Sequence, residues 1–109
     1  MTQLASRTCS PQQGNALDGR AAKGLLAQLD GWSMDDGAKA VHRTFNFQSY
    51  FATMAFANAV AWIAHREDHH PDMAVGYNTL TVTFSTHSVG GLTENDFICA
   101  AKVDALGTL

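Results

Sequence analysis

Apolar residues recur at three- and four-residue steps in three windows of this chain and at alternate positions in two others. In the first helical window, residues 18–29, Asp18 is placed to cap the N-terminus and Leu25, Leu26 and Leu29 fall on one side; Asp30 and Gly31 end it. A short apolar run at 32–34, a turn signal at Asp35-Asp36-Gly37 and alternation over 38–47 predict a hairpin. Its second strand puts Val41, Arg43 and Phe45 on one face and His42, Thr44 and Asn46 on the other, with Arg43 interrupting the apolar side.

Residues 48–67 return to helical spacing through Phe51, Met54, Ala55, Asn58, Ala59, Trp62 and Ile63. Phe56 and Val60 add apolar surface elsewhere on the circumference, so the helix has either one wide core face or a sheet-facing and a subunit-facing side. Pro71 ends it and drives His70 toward extended backbone. After a run at 73–75 and a Gly76-Tyr77-Asn78 turn, residues 79–87 alternate strictly. Leu80, Val82 and Phe84 face one way, and Thr79, Thr81, Thr83, Ser85 and His87 the other.

Gly90 and Gly91 break that strand, and Thr93-Glu94-Asn95-Asp96 has capping-box form ahead of Phe97, Ile98, Ala101, Val103 and Ala105. The order α-β-β-α-β-β-α predicts an α+β fold: a four-stranded antiparallel sheet with three helices on one face. Residues 17–109 form one domain in this reading, and residues 1–16 a flexible tail.

Composition narrows the function. At 109 residues and 46% hydrophobic, the chain supports a single core. Seven Lys and Arg against ten Asp and Glu supply no basic stripe, so nucleic-acid binding is not expected. No run approaches the roughly 18 apolar residues of a membrane span, and the expected setting is soluble and cytoplasmic, with the nucleus as a second location. Cys9 lies in a polar tail and Cys99 in an apolar helical pattern, with no CxxC, which argues for a reducing compartment and against a disulfide or zinc framework.

Three of the five histidines stand where elements end: His69 and His70 after the long helix, His87 after the clearest strand. Histidine exchanges protons near neutrality, with an ordinary pKa of about 6.5. The pair beside Asp68, facing His87, could supply an acid and a base together, or all three could be surface residues. A metal site built from His69, His70, His87 and Asp96 is the rival. Adjacent residues of an extended stretch point to opposite sides, HExxH and CxxC are missing, and the one i,i+4 pair, His65 and His69, sits at the helix end; no metal is expected. His42 reads as a bystander on its strand. Asp96 reads as the third residue of a capping box, as a carboxylate reaching the histidines, or as both. Ser85 and Thr86 are either plain strand residues or hydroxyls for a polar heterocycle.

Asp68-His69-His70-Pro71, Tyr77-Asn78, Ser85-Thr86-His87, Gly91-Leu92-Thr93 and Asp96, with Gly31-Trp32 and Phe45-Asn46-Phe47 upstream, resemble the signature of the pterin-4a-carbinolamine dehydratase family across residues 17–106. The resemblance implies the same fold and a hydro-lyase that dehydrates 4a-hydroxytetrahydropterin to quinonoid dihydropterin in tetrahydrobiopterin recycling, without cofactor or metal. It implies His69 and His87 as proton-transfer residues and His70 as a binding and polarising one. Asp68, Ser85 and Thr86 would line the pterin site and Asp96 would support the cluster. The chain departs from many members at His65, where they carry glutamate; Glu67 is the nearby carboxylate. Animal members that resemble this chain also serve as dimerisation partners of a transcription factor, so a non-catalytic binding module is the alternative.

The breadth of apolar surface on the long helix, together with the resemblance, predicts a homodimer or homotetramer. Sedimentation at low micromolar concentration should show at least twice the chain mass; a single species at the chain mass would assign that whole helix surface to the monomer.

Overall fold

The computed structural model describes residues 3–35 and 37–107; Asp36, in the middle of the expected Asp35-Asp36-Gly37 turn, lies outside them. Helices α1 (Gly19–Leu26), α2 (Tyr50–Glu67) and α3 (Glu94–Asp104) alternate with strands β1 (Ser33–Met34), β2 (Val41–Asn46), β3 (Asp72–Val75) and β4 (Thr79–Phe84). Each helix begins where a short polar side chain satisfies a free backbone N–H. Asp18 accepts from Ala21 N at 2.8 Å, Ser49 from Ala52 N at 3.1 Å and Thr93 from Asn95 N at 3.3 Å.

The strands form one antiparallel sheet in the order β1-β2-β4-β3. Register decides which residues meet: Val41 lies opposite Phe84, Arg43 opposite Val82 and Phe45 opposite Leu80. Val41, Leu80, Val82 and Phe84 are fully buried beneath Phe56 and Val60 of α2 and Phe97 and Ile98 of α3. Each such side chain stabilises the fold by about 1.5–3 kcal/mol relative to exposure. The opposite face is polar, with the Thr44 and Thr81 hydroxyls 2.8 Å apart across the strands.

Arg43, the interruption noted in the sequence, is accommodated on the covered face. Its Nη1 donates to Asp104 Oδ1 at 2.8 Å and to the Asp30 carbonyl at 3.0 Å, and its guanidinium lies 4.6 Å from the centre of the Phe45 ring. Gly31 makes room: its φ is +82°, and a Cβ there would meet Arg43 Nε at 2.9 Å. Trp32 Nε1 donates to the same Asp104 carboxylate at 2.9 Å. Burial still holds the Asp104 carboxyl above the usual carboxylate range, outweighing those two donors.

The long helix is two-sided. Phe56, Ala57, Val60 and Ala64 are buried, whereas Phe51 is 83% and Trp62 59% exposed. Residues 4–10, part of a tail by composition, lie along α3: Leu4 is buried, Lys102 Nζ donates to the Ala5 carbonyl at 2.9 Å, and the Asn95 side chain pairs with the backbone of Ser10. One boundary differs from expectation. The last strand stops at Phe84 rather than at residue 87, because Thr86 and Gly91 exchange backbone hydrogen bonds and close a 3-10 turn over His87–Val89, with Gly90 at φ +69°. Among the described residues no helix is long and apolar enough to cross a membrane.

Removing the shared acceptor should be costly, since Asp104→Ala leaves the Trp32 N–H and the Arg43 guanidinium without it. Urea unfolding should report a loss of about 1–3 kcal/mol at unchanged slope; a change below the error of extrapolation would mean that water replaces the carboxylate.

Candidate active site

Two local devices turn His69 inward. Asp68 adopts the left-handed conformation at the end of α2 (φ 50°, ψ 45°), and the His69 N–H returns to the Ala64 carbonyl at 3.1 Å. The chain therefore reverses within one residue, and the imidazole lands on the Phe84 ring, 5.9 Å between centres and 10° from parallel. His69 is 9% exposed.

Its Nε2 lies 2.6 Å from Asp96 Oδ1, and Asp96 has no exposure. The other oxygen, Oδ2, accepts from Thr86 Oγ1 at 2.8 Å and from the Thr93 N–H at 3.0 Å. Thr86 and Thr93 bring their hydroxyls to 2.8 Å, and Thr93 Oγ1 accepts from Asn95 N. Thr86 has one proton and gives it to Asp96, so Thr93 must be the donor between the two hydroxyls. The chain of donors runs from the start of α3 through both threonines into the carboxylate. With Oδ2 filled, the remaining oxygen takes the Nε2 proton, and Nδ1 is the imidazole nitrogen left for a ligand. Asp96 thus caps α3 and pairs with the His69 ring.

His69 opens into a cleft of about 490 Å³ whose walls include Asp68, Thr86, Ser88 and Asn95 on one side and residues 9–12 on the other. A larger hollow of about 870 Å³ lies between residues 3–6, 27–30 and 101–105, but its only ionisable side chains are Asp30 and Asp104, the latter tied to Arg43. Of these two, the smaller is the one lined by a histidine.

Of the residues singled out from sequence, His69, Thr86 and Asp96 are joined by direct hydrogen bonds, and Asp68 shares the cleft. His70 and His87 are exposed, Ser85 is half-buried, and none of these three lines the cleft, although His70 follows His69 and His87 follows Thr86. His65 stacks on Trp62, and Glu67 Oε1 accepts the Cys9 N–H at 2.8 Å, so that carboxylate holds the N-terminal segment. Thr93 and Phe84 were not picked as site residues. The parity of β4 carries a signal for Thr86: it falls in step with Leu80, Val82 and Phe84, toward the covered side. Among the described residues no three His, Cys, Asp or Glu side chains are grouped to hold a metal ion.

A sheet backed by three helices, with a buried histidine–carboxylate pair at the end of its longest helix, defines a small α+β protein. The family model for pterin 4 alpha carbinolamine dehydratase matches residues 15–106, and the chain belongs to that family. A Stenotrophomonas maltophilia protein that carries this dehydratase name provisionally is 57% identical over 94% of this chain and 90% of its own length. A relative from Nitrosomonas eutropha with the same provisional name is 56% identical over 94% and 92%. Among solved structures, a transcriptional coactivator/pterin dehydratase from Brucella melitensis superposes with a TM-score of 0.80 at 37% identity, covering 84% of this chain and 98% of that one. A pterin dehydratase-like protein identified as a RuBisCO assembly factor of the alpha-carboxysome gives 0.61 at 27% identity, over 72% and 93%.

Thr86→Val keeps the volume and deletes the hydroxyl, leaving Asp96 Oδ2 and Thr93 Oγ1 each short of a partner. Chemical denaturation should register a loss of about 1–3 kcal/mol; a variant as stable as the parent would show that the hydroxyl chain adds nothing.

Proposed function

We propose that this chain dehydrates a 4a-hydroxytetrahydropterin by histidine acid/base catalysis, acting in tetrahydrobiopterin recycling. The observation that carries the reading is the His69–Asp96 pair, 2.6 Å apart at a cleft beside Asp68, in a chain of this family. In the reaction the C4a–O bond breaks with its electron pair on oxygen, which takes a proton and leaves as water. The N5 lone pair closes the C4a=N5 bond, and the N5 proton passes to a base. An acid and a base are both needed, each worth typically about a hundred- to ten-thousand-fold.

His69 exchanges a proton through Nδ1 while Asp96 holds its tautomer. His87, one residue beyond Thr86, is the second proton-transfer group, and His70 binds and polarises the substrate. Asp68, Ser85 and Thr86 contact the pterin, with Thr86 also spending its proton on Asp96. A second reading, a non-catalytic binding module, draws on the exposed Phe51 and Trp62 of α2 and on the coactivator and assembly-factor descriptions of two structural relatives. The same helix face supports self-association into a dimer or tetramer.

Dehydration of 4a-hydroxytetrahydropterin by the purified chain separates the readings. His69→Gln and His87→Ala should each lower the catalysed rate by at least about a hundredfold with the fold retained by circular dichroism. Near-parental rates in both, or no catalysis by the parent chain, would leave the binding module. Activity should also survive exhaustive chelation, because adjacent His69 and His70 point apart and do not share an ion. Loss of activity restored by one equivalent of metal would overturn that.

A further inference from the structure

We propose that Cys9 and Cys99 are a redox-active thiol pair that closes to an intramolecular disulfide on meeting a small-molecule disulfide such as oxidised glutathione. The two sulfurs lie 3.5 Å apart although 90 positions separate them in sequence. A disulfide is about 2.05 Å long, so the sulfurs need approach by only about 1.5 Å.

The approach is prepared by the backbone on both sides of Cys9. Its N–H donates to Glu67 Oε1 at 2.8 Å, and the next residue, Ser10, pairs through its N–H and carbonyl with the Asn95 side chain at 3.1 and 2.7 Å. Asn95 lies one helical turn before Cys99 on α3, and Cys9 Sγ also sits 3.6 Å from the Asn95 carbonyl. The contact between sulfurs is therefore held by three hydrogen bonds that do not involve sulfur.

Exposure sets the order of chemistry. Cys9 is half-buried and lines the 490 Å³ cleft, whereas Cys99 has no exposure. The hydrogen-bonded contact with Cys9 and then burial push the Cys99 thiol well up, which keeps it protonated and unreactive toward solutes. The Cys9 thiolate attacks one sulfur of the small disulfide, whose S–S bond breaks to release a thiolate. With Cys9 in the mixed disulfide, the thiol contact that held the Cys99 proton is gone; Cys99 gives that proton to the departing small thiolate as its sulfur attacks Cys9 sulfur, and a protein disulfide forms. Two electrons pass from the protein to the small disulfide, and the two thiol protons end on the two released thiols. The bond ties residues 9–12, one wall of the cleft, to α3, and its formation does not depend on the dehydratase reading.

Equilibrating the purified chain with graded ratios of oxidised to reduced glutathione tests this. The expected product is a chain lighter by two hydrogens, with both thiols lost, restored by reductant, and melting at least about 5 °C higher because a long loop is closed. Cys9→Ser should show no such product and should leave Cys99 unlabelled by iodoacetamide until the protein is unfolded. Two free thiols at every ratio, a glutathione adduct on Cys9 that never resolves, or linkage between chains would each overturn the proposal.

Discussion

Everything at the candidate site depends on one buried carboxyl group. Asp96 has no contact with solvent, and a carboxylate so placed is tolerated only when each oxygen is met by donors. Meeting that requirement ties three parts of the chain together: the end of α2 through His69, the loop after β4 through Thr86, and the start of α3 through Thr93. The capping box that starts α3 and the partner of the imidazole are the same side chain, so helix initiation and histidine orientation cannot be separated.

The rest of the architecture presents this cluster. Phe84 ends β4 as a buried ring and gives His69 a flat surface to lie on, while the reversal at Asp68 turns the chain so that the imidazole reaches it. A 3-10 turn beyond Thr86 brings His87 to the surface next to a cleft-lining residue. At the opposite end of α3, Asp104 performs a second, unrelated anchoring. It collects Arg43 and Trp32 and lets a charged residue stand on the covered face of the sheet. Polar groups at both ends of one helix thus fix how it lies over the strands.

The helical and alternating windows were legible because burial of one side of an element imposes its period on the residues. Leu80, Val82 and Phe84 announced both β4 and the side that the helices cover. The Thr93/Asp96 box announced the start of α3, and Pro71 the end of α2. Arg43 broke its pattern, and the sequence offered no reason, since its partner lies 61 positions away. The extent of the last strand was overread for a similar reason. Residues 79–87 read as one strand, but the ladder ends at Phe84 and only an isolated bridge between Thr86 and Gly91 follows.

The residue types that can carry proton transfer, the end of α2, the start of α3 and the layer order were determined by the sequence itself, because capping, proline geometry and periodicity are local. Which histidine is enclosed was not. His69 and His70 are identical neighbours, and the reversal at Asp68 together with the packing of α2 against β4 and α3 sends one ring onto Phe84 and Asp96 and leaves the other in solvent. The same holds for residues 3–16, polar enough to read as a tail. Their attachment rests on Glu67, Asn95 and Lys102, side chains that only the folded chain brings within reach of Ala5, Cys9 and Ser10. Contacts between residues 58 to 97 positions apart leave no periodic trace, and tertiary structure alone decides them.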